Sequence, residues 1–149
     1  MKVSSSWLKE FVDIETPIEE VAETLSMSGF EVEGIEDLST RTDGVVIGYV
    51  LSKEKHPEAD KLSVCQVDLA SSQVQIVCGA QNVRAHSHVL VAVIGASLSA
   101  ISLSIKESTI RGIKSQGMIC SLSELGVESN SDGIAILEDL DLPIPKLGS

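Results

Sequence analysis

Short apolar runs dominate the chain from position 45 to position 121, and each run is bounded by polar or turn-forming residues. The runs are rich in Val and Ile and alternate with polar residues at the period of two that is typical of strands. They read VVIGYVLSKEK, LSVCQVDLA, VQIVCG, VLVAVIG, ISLSIKESTI and GMICS. Gly48 lies inside the long first run, where it would let a strand bend at a barrel corner. Five or six such strands predict a small closed barrel.

The first 43 residues have a different pattern, which is helical and then extended. TPIEEVAETLSMSGF predicts a helix with a capping box, in which Thr16 is the N-cap and Glu19 reaches back, and with Gly29 as its stop. SSSWLKEFV predicts a shorter helix, and FEVEGIEDL alternates as a strand with one wet face. STRTDG, residues 39–44, predicts a polar linker.

The segment after the barrel predicts little regular structure. SLSELGV offers a second capping box, Ser121 with Glu124, closed by Gly126. SDGIAILED predicts a turn and a short strand, and LPIPKLGS has two prolines and no pattern that could continue a core. The alternation of the strands predicts this core: Val45, Ile47, Val64, Val67, Ile76, Val91, Val93, Leu103, Ile105, Met118 and Ile119.

Charge is distributed unevenly along the chain. The formal net charge is −11, with 22 acidic and 11 basic residues. Residues 44–121 are the only net-positive segment, with seven bases against five acids, and the segments 1–43 and 122–149 are both acidic. The acidic balance of the whole chain therefore does not exclude nucleic-acid binding by the middle segment, although such binding would be local and weak alone.

Several classes of protein are disfavoured. No apolar run approaches the roughly 20 residues that a bilayer span requires, and the N-terminus turns charged before a signal peptide could form. The three cysteines, Cys65, Cys78 and Cys120, lack CxxC spacing and favour buried, reduced thiols in a cytoplasmic protein. No nucleophile elbow, Walker loop, dinucleotide fingerprint or zincin helix occurs, so no catalytic residue is predicted.

Two histidine-containing stretches could carry chemistry, and a plainer interpretation is favoured for each. His86 and His88 could place two imidazoles on one side of an extended segment, but a polar loop without a metal is favoured because no cysteine pair has ligand spacing. Glu58 and Asp60 beside His56 could suggest acid–base chemistry, which a charged turn around the intervening proline explains equally well.

The stretch RGIKSQGMICS is unusual in an acidic chain. Arg111 and Lys114 can neutralise phosphates, and Ser115 can hydrogen-bond a phosphate or the backbone of a turn. Gly112 and Gly117 permit positive φ or the close approach of another backbone. A cationic lip on a kinked strand and a simple barrel corner both explain the stretch, and both interpretations stay open.

Two motifs carry a resemblance to a known family. HPEADKLSVCQVD and RGIKSQGMICS together, with the GAQNV turn between them, resemble the tRNA-binding OB-fold family, whose members are appended to aminoacyl-tRNA synthetases or occur alone. The opening MKVSSSWLKEFVD and the TPIEEVAETLSMSGFEVEGIE unit look like the start of the β subunit of bacterial-type phenylalanyl-tRNA synthetase. The resemblance covers nearly the whole chain.

The resemblance implies a mainly β fold, a five-stranded Greek-key OB barrel with a small α+β N-terminal lobe. Residues 1–43 would be the first half of a split α+β domain, residues 44–121 the barrel, and residues 122–149 a barrel-capping turn and strand that lead back to the split domain. The chain would then be an N-terminal part of a longer subunit, without the acylating, editing or main anticodon-reading machinery. The implied partners are tRNA(Phe), the synthetase α subunit and the remainder of β, in an α2β2 heterotetramer. ATP and Mg²⁺ are expected for the whole enzyme and no cofactor for this part.

The resemblance also implies a set of tRNA-contacting residues. Those matching the family's motifs, together with Lys106 as a further cation of the same segment, are Lys61, Asn82, Lys106, Arg111, Lys114, Ser115, Gly117 and Met118. Tyr49 is the only aromatic residue in the barrel segment. We therefore expect RNA binding through phosphates and shape, with little sequence readout.

Two alternative functions stay open. The barrel could be a structural or assembly module that supports neighbouring domains or the α subunit. The chain could instead be a free-standing tRNA-binding protein that dimerises through its barrel.

Overall fold

The computed structural model describes residues 1–141 and 143–149, which divide into two compact units, Met1–Asp37 and Leu38–Ser149. The first unit contains helices α1 (Ser5–Leu8) and α2 (Ile18–Met27), and none of its residues is buried. Among the described residues, no helix has the length and apolar character needed to cross a bilayer.

Helix α2 confirms the predicted helix but corrects its start. The N-cap is Pro17, with a ψ of 150°, and no side chain caps the helix, so the predicted capping box of Thr16 and Glu19 is wrong. Because Pro17 has an extended ψ, it lies outside the helix, which begins at Ile18. Glu19 and Glu20 still stabilise the first turn because their charges face the positive end of the helix dipole. Gly29, with a φ of +92°, confirms the predicted stop.

The strand predicted for FEVEGIEDL is wrong. Residues 30–37 are irregular, and a 3-10 helix, Leu38–Thr42, replaces the end of that strand and most of the predicted linker. Alternation alone does not make a strand, because the backbone also needs a partner for its hydrogen bonds. Among residues 1–37 the structure contains no strand that could be that partner.

The second unit is a nearly closed, five-stranded antiparallel OB-fold barrel, which confirms the predicted fold class. The barrel strands are β1 (Val45–Lys55), β2 (Ser63–Asp68), β3 (Gln73–Cys78), β4 (His88–Ala92) and β9 (Met118–Ile119). Their order is β3-β2-β1-β4-β9, the Greek-key arrangement in which β4 returns to lie beside β1. The unit also contains two small hairpins: β5 (Ser97–Leu98) with β6 (Leu103–Ser104), and β7 (Ser108–Ile110) with β8 (Ile113–Ser115).

Interior packing explains Gly48 in the middle of β1. A Cβ at this position would come within 2.7 Å of Val67 Cγ1 and 2.8 Å of Val91 Cγ2, so only glycine lets the strands approach this closely. The predicted core residues Ile47, Val67, Ile76, Val91, Ile105 and Ile119 are buried, and Val45, Val64, Val93 and Met118 are partly buried.

The prediction that Leu103 is buried is wrong. Its side chain is 40% exposed, because the predicted strand ISLSIKESTI breaks into β6 and β7 and belongs to two different hairpins. Leu98, Cys120 and Leu125 instead form a second apolar cluster with Ile105.

The segment after β9 packs on the barrel, because its residues Ile134 and Ile136 belong to the barrel's core cluster. The predicted capping box is confirmed: Ser121 N–H donates to Glu124 Oε2 at 2.8 Å, and Glu124 N–H donates to Ser121 Oγ at 3.2 Å. The predicted strand in SDGIAILED reduces to one isolated bridge, between Ile136 and Val89, followed by a 3-10 helix, Leu137–Leu140. The tail also contributes hydrogen bonds, since Gly148 N–H donates to Ile47 O at 2.8 Å.

Candidate nucleic-acid interface

The two motifs that are far apart in the sequence meet in space. The HPEADK turn follows β1, and the Arg111–Gly112 turn joins β7 to β8. His56 Nε2 donates to the Ile110 carbonyl at 3.0 Å, and Arg111 Nη1 donates to the Glu58 carbonyl at 3.2 Å. We call this pair of connected turns the cationic edge, comprising residues 55–61 and 110–114.

His56 is the buried link of the cationic edge, with 2% of its surface exposed. Its Nδ1 accepts from the Glu58 N–H at 3.0 Å, and its Nε2 faces the Ile110 carbonyl. An amide can only donate and a carbonyl can only accept, so the proton must lie on Nε2. The two contacts fit the Nε2–H tautomer, in which the ring links the two turns.

The Arg111–Gly112 turn has an unusual conformation for its sequence. Both residues have positive φ, +48° for Arg111 and +83° for Gly112. A two-residue hairpin loop of this kind normally has Asn, Asp or Gly at its first position. An arginine there costs about 1–2 kcal/mol of backbone strain. The arginine is exposed, so burial of its side chain does not offset that cost.

The other predicted cations are also exposed. Lys61 ends the HPEADK turn, Lys106 precedes the β7–β8 hairpin, and Lys114 lies on β8. Lys114 Nζ lies 3.1 Å from Glu107 Oε1, and both side chains remain about half exposed. Such surface pairs contribute about 0–1 kcal/mol, so a phosphate can compete for the ammonium group.

Sequence reasoning missed Lys55. This lysine ends β1 and pairs with Asp60 of the following turn, with Nζ 2.7 Å from Oδ1 and 68% of its side chain exposed. The alternating Lys53-Glu54-Lys55 end of the first apolar run was the available signal, because it places two cations directly before the motif turn. Asp60 is an ion-pair partner on the surface, which favours the charged-turn interpretation of that turn.

Ser115, Gly117 and Met118 lie in the seam where the barrel closes. Ser115 is buried, and its hydroxyl accepts from the Val77 N–H at 3.1 Å and donates to the Gly117 carbonyl at 3.2 Å. Gly117 has a φ of +150°, and a Cβ there would lie 2.9 Å from the Ala92 carbonyl oxygen. Met118 pairs with Ala92 and packs against the second apolar cluster. These three residues therefore have a complete structural explanation.

Asn82 also has a structural explanation. Its side-chain amide donates to the Ile134 carbonyl at 2.9 Å and accepts from the Ile134 N–H at 3.0 Å. A Cβ on the neighbouring Gly133 would overlap the Asn82 carboxamide. Asn82 thus fastens the segment after β9 to the turn between β3 and β4.

The Tyr49 ring lies beside two histidines, one of which contacts a carboxylate. The Tyr49 ring centroid is 4.9 Å from that of His88 and 6.3 Å from that of His86. His88 Nδ1 lies 2.7 Å from Glu138 Oε1, and Arg84 pairs with Asp139 at 2.8 Å. Burial raises the pKa of Glu138, but the hydrogen bonds from the His88 ring and backbone lower it more, so its net pKa is below the ordinary value. The ionised Glu138 makes this ring cluster a poor place for a phosphate chain.

The described residues hold no group of three or more His, Cys, Asp or Glu side chains that could bind a metal ion. The three cysteines are free and buried. Burial raises the pKa of Cys65 to about 11 and that of Cys120 to about 12. Their thiols are therefore protonated and unreactive near neutral pH.

A protein-family model described as "Putative tRNA binding domain" matches residues 45–144. Over 100% of its length the chain is 59% identical to a "Phenylalanine--tRNA ligase beta subunit" of a Synechococcus strain, and the match covers 19% of that protein. The same name is given to a Prochlorococcus marinus protein that is 59% identical over 99% of this chain and 18% of its own length. The chain therefore spans about a fifth of the length of these relatives.

Among solved structures, the crystal structure of a "MetRS related protein" from Pyrococcus horikoshii is similar to this one. Its TM-score is 0.51 at 18% sequence identity, and the match covers 78% of this chain and 96% of that chain. At this identity the similarity supports the fold alone.

Proposed function

The chain belongs to the family of tRNA-binding domains, and on that premise we propose that it is the tRNA-binding module of a phenylalanine–tRNA ligase β subunit. In this role it assists the binding of tRNA(Phe) during aminoacylation and carries no catalytic residue itself. The observation that supports this proposal most strongly is the cationic edge. There Arg111 occupies a strained turn position although its side chain is exposed.

The proposed contact is to the phosphate backbone. Lys61, Lys106, Arg111 and Lys114 are the cations of the predicted set, and all four are exposed. Asn82, Ser115, Gly117 and Met118 support them indirectly, by holding the barrel in shape. Tyr49 lies beside His86 and His88, and His88 pairs with Glu138, so base stacking contributes little.

The wider assignment is also a proposal. The parent enzyme would use ATP and Mg²⁺ in other parts, act in the cytoplasm, and assemble with an α subunit as an α2β2 heterotetramer. The relatives' names support the ligase, and three buried, free thiols suit a reducing compartment.

A second function, as an assembly module, is favoured by one observation. The unit Met1–Asp37 exposes large apolar side chains, and Phe11, Met27 and Phe30 are each at least 69% exposed. Such a surface typically marks a contact with other protein. We propose the remainder of the β subunit as that contact, compatible with tRNA binding by the barrel.

A fluorescence titration with a tRNA(Phe) transcript at low salt separates the two functions. We expect wild type to bind weakly and the double variant Arg111→Glu/Lys114→Glu to show no measurable binding, with a nearly unchanged melting temperature. The matched control is Lys9→Glu/Lys146→Glu, which changes the net charge equally at exposed positions outside the cationic edge. Equal binding by wild type and the Arg111/Lys114 variant would refute the assignment. Absence of binding by both would favour the assembly module.

A further inference from the structure

We propose that His56 is a positioning residue for the cationic edge, which holds the tip of the β7–β8 hairpin so that Arg111 is presented in one fixed orientation. This inference rests on the proposed tRNA-binding function and adds a residue outside the predicted contact set. His56 cannot contact the RNA itself, because it is 2% exposed.

The hairpin needs such an anchor. Each of its strands has three residues, and an isolated two-stranded hairpin is marginally stable in water. Its base is fastened to β3, since Gln75 Nε2 donates to the Lys114 carbonyl at 2.8 Å and Ser115 Oγ accepts from Val77. His56, bonded to the Ile110 carbonyl, fastens the tip one residue before Arg111.

The two nitrogens of His56 perform separate tasks. Nδ1 accepts from the N–H two residues ahead, as the side chain of an asparagine does in an Asx turn, and so shapes the HPEADK turn. Nε2 reaches across to Ile110 and connects the two turns. The backbone of Glu58 makes both contacts: its N–H donates to His56 Nδ1, and its carbonyl accepts from Arg111 Nη1. One ring therefore positions both the backbone next to Arg111 and the carbonyl that orients its guanidinium.

Two conservative substitutions separate these tasks. His56→Asn places an oxygen where Nδ1 was and keeps the local turn, but its side chain is too short to reach Ile110. His56→Gln places an amide nitrogen where Nε2 was and can restore the connection. We expect the Asn variant to bind a tRNA(Phe) transcript about three- to tenfold more weakly than wild type, the effect of losing one orienting hydrogen bond. We expect the Gln variant to recover part of the loss.

A double-mutant cycle tests whether His56 acts through Arg111. Arg111→Ala should weaken binding less in the His56→Asn background than in wild type, because the arginine is already poorly oriented there. Lys114→Ala should weaken binding equally in both backgrounds, because Lys114 is held at the base of the hairpin. A generally loosened barrel would instead change both penalties, so the control distinguishes positioning from lost stability.

Several outcomes would overturn the inference. These are wild-type affinity in the Asn variant, a Gln variant no better than the Asn variant, or an Arg111 penalty that is the same in both backgrounds.

Nitrogen-15 NMR of the wild-type imidazole needs no variant to fold, and we expect the Nε2–H tautomer. The Nδ1–H tautomer would contradict the bridge to Ile110. If the wild type binds no tRNA, the proposed function is refuted, and this inference with it. If the wild type binds tRNA but the variants give one of the outcomes above, only this inference is refuted.

Discussion

The segment from Arg111 to Met118 contains two regions whose residues carry the same family motif but have opposite environments. At the hairpin tip, Arg111 and Gly112 are exposed, and a Cβ on Gly112 would have no atom within 4 Å. At the barrel seam, Ser115 is buried and a Cβ on Gly117 would press against the Ala92 carbonyl. A motif can thus combine residues needed for the fold with residues free to bind. Only the structure shows which is which.

The largest expected effect comes from the seam. Gly117→Ala should lower the free energy of unfolding by about 2–4 kcal/mol, because the new Cβ meets backbone and the φ of +150° strains any L-residue. The matched control, Gly112→Ala, also has positive φ but opens into empty space, and should cost only about 1 kcal/mol. Urea unfolding measures both. Equal losses would mean that the seam is not tightly closed.

A smaller effect is expected from pH. Because burial raises the pKa of Cys65 to about 11, the folded chain keeps that proton when the unfolded chain, near 9, has lost it. The folded pKa is the higher one, so the stability from this thiol is complete below pH 9 and declines as pH rises towards 11. At pH 10 the loss should be about 1 kcal/mol.

Chemical denaturation at pH 8 and pH 10 checks this loss. The control Cys65→Ala should lose less stability than wild type between the two pH values. Identical losses in the two proteins would show that water reaches the Cys65 thiol inside the barrel.

The sequence predicted the barrel because interior packing follows from local alternation, as in Val67, Ile76 and Val91. The prediction of a strand from alternation was wrong for residues 30–38, because no strand in the described part of the chain pairs with that segment. The structural roles of Ser115 and Asn82 could not be predicted from the sequence either. Their hydroxyl and amide could equally serve a phosphate or the backbone, and only long-range contacts to Val77 and Ile134 decide between these.

The same limit explains why His56 was not predicted as a positioning residue. Its partner Ile110 lies 54 positions away in the sequence. A histidine before a proline reads locally as part of a charged turn. Burial of both ring nitrogens between two distant turns becomes visible only when the barrel brings β1 and the β7–β8 hairpin together.

The salt dependence of tRNA binding tests the central claim most directly, namely that the exposed tip binds phosphates while the seam only supports the fold. The slope of log affinity against log salt should become shallower by about 0.7–0.9 for each phosphate contact removed. We predict this change for Lys61→Gln, Arg111→Gln and Lys114→Gln, and an unchanged slope for the control Lys146→Gln, which is exposed in the tail. An unchanged slope in all three cationic-edge variants would contradict the account.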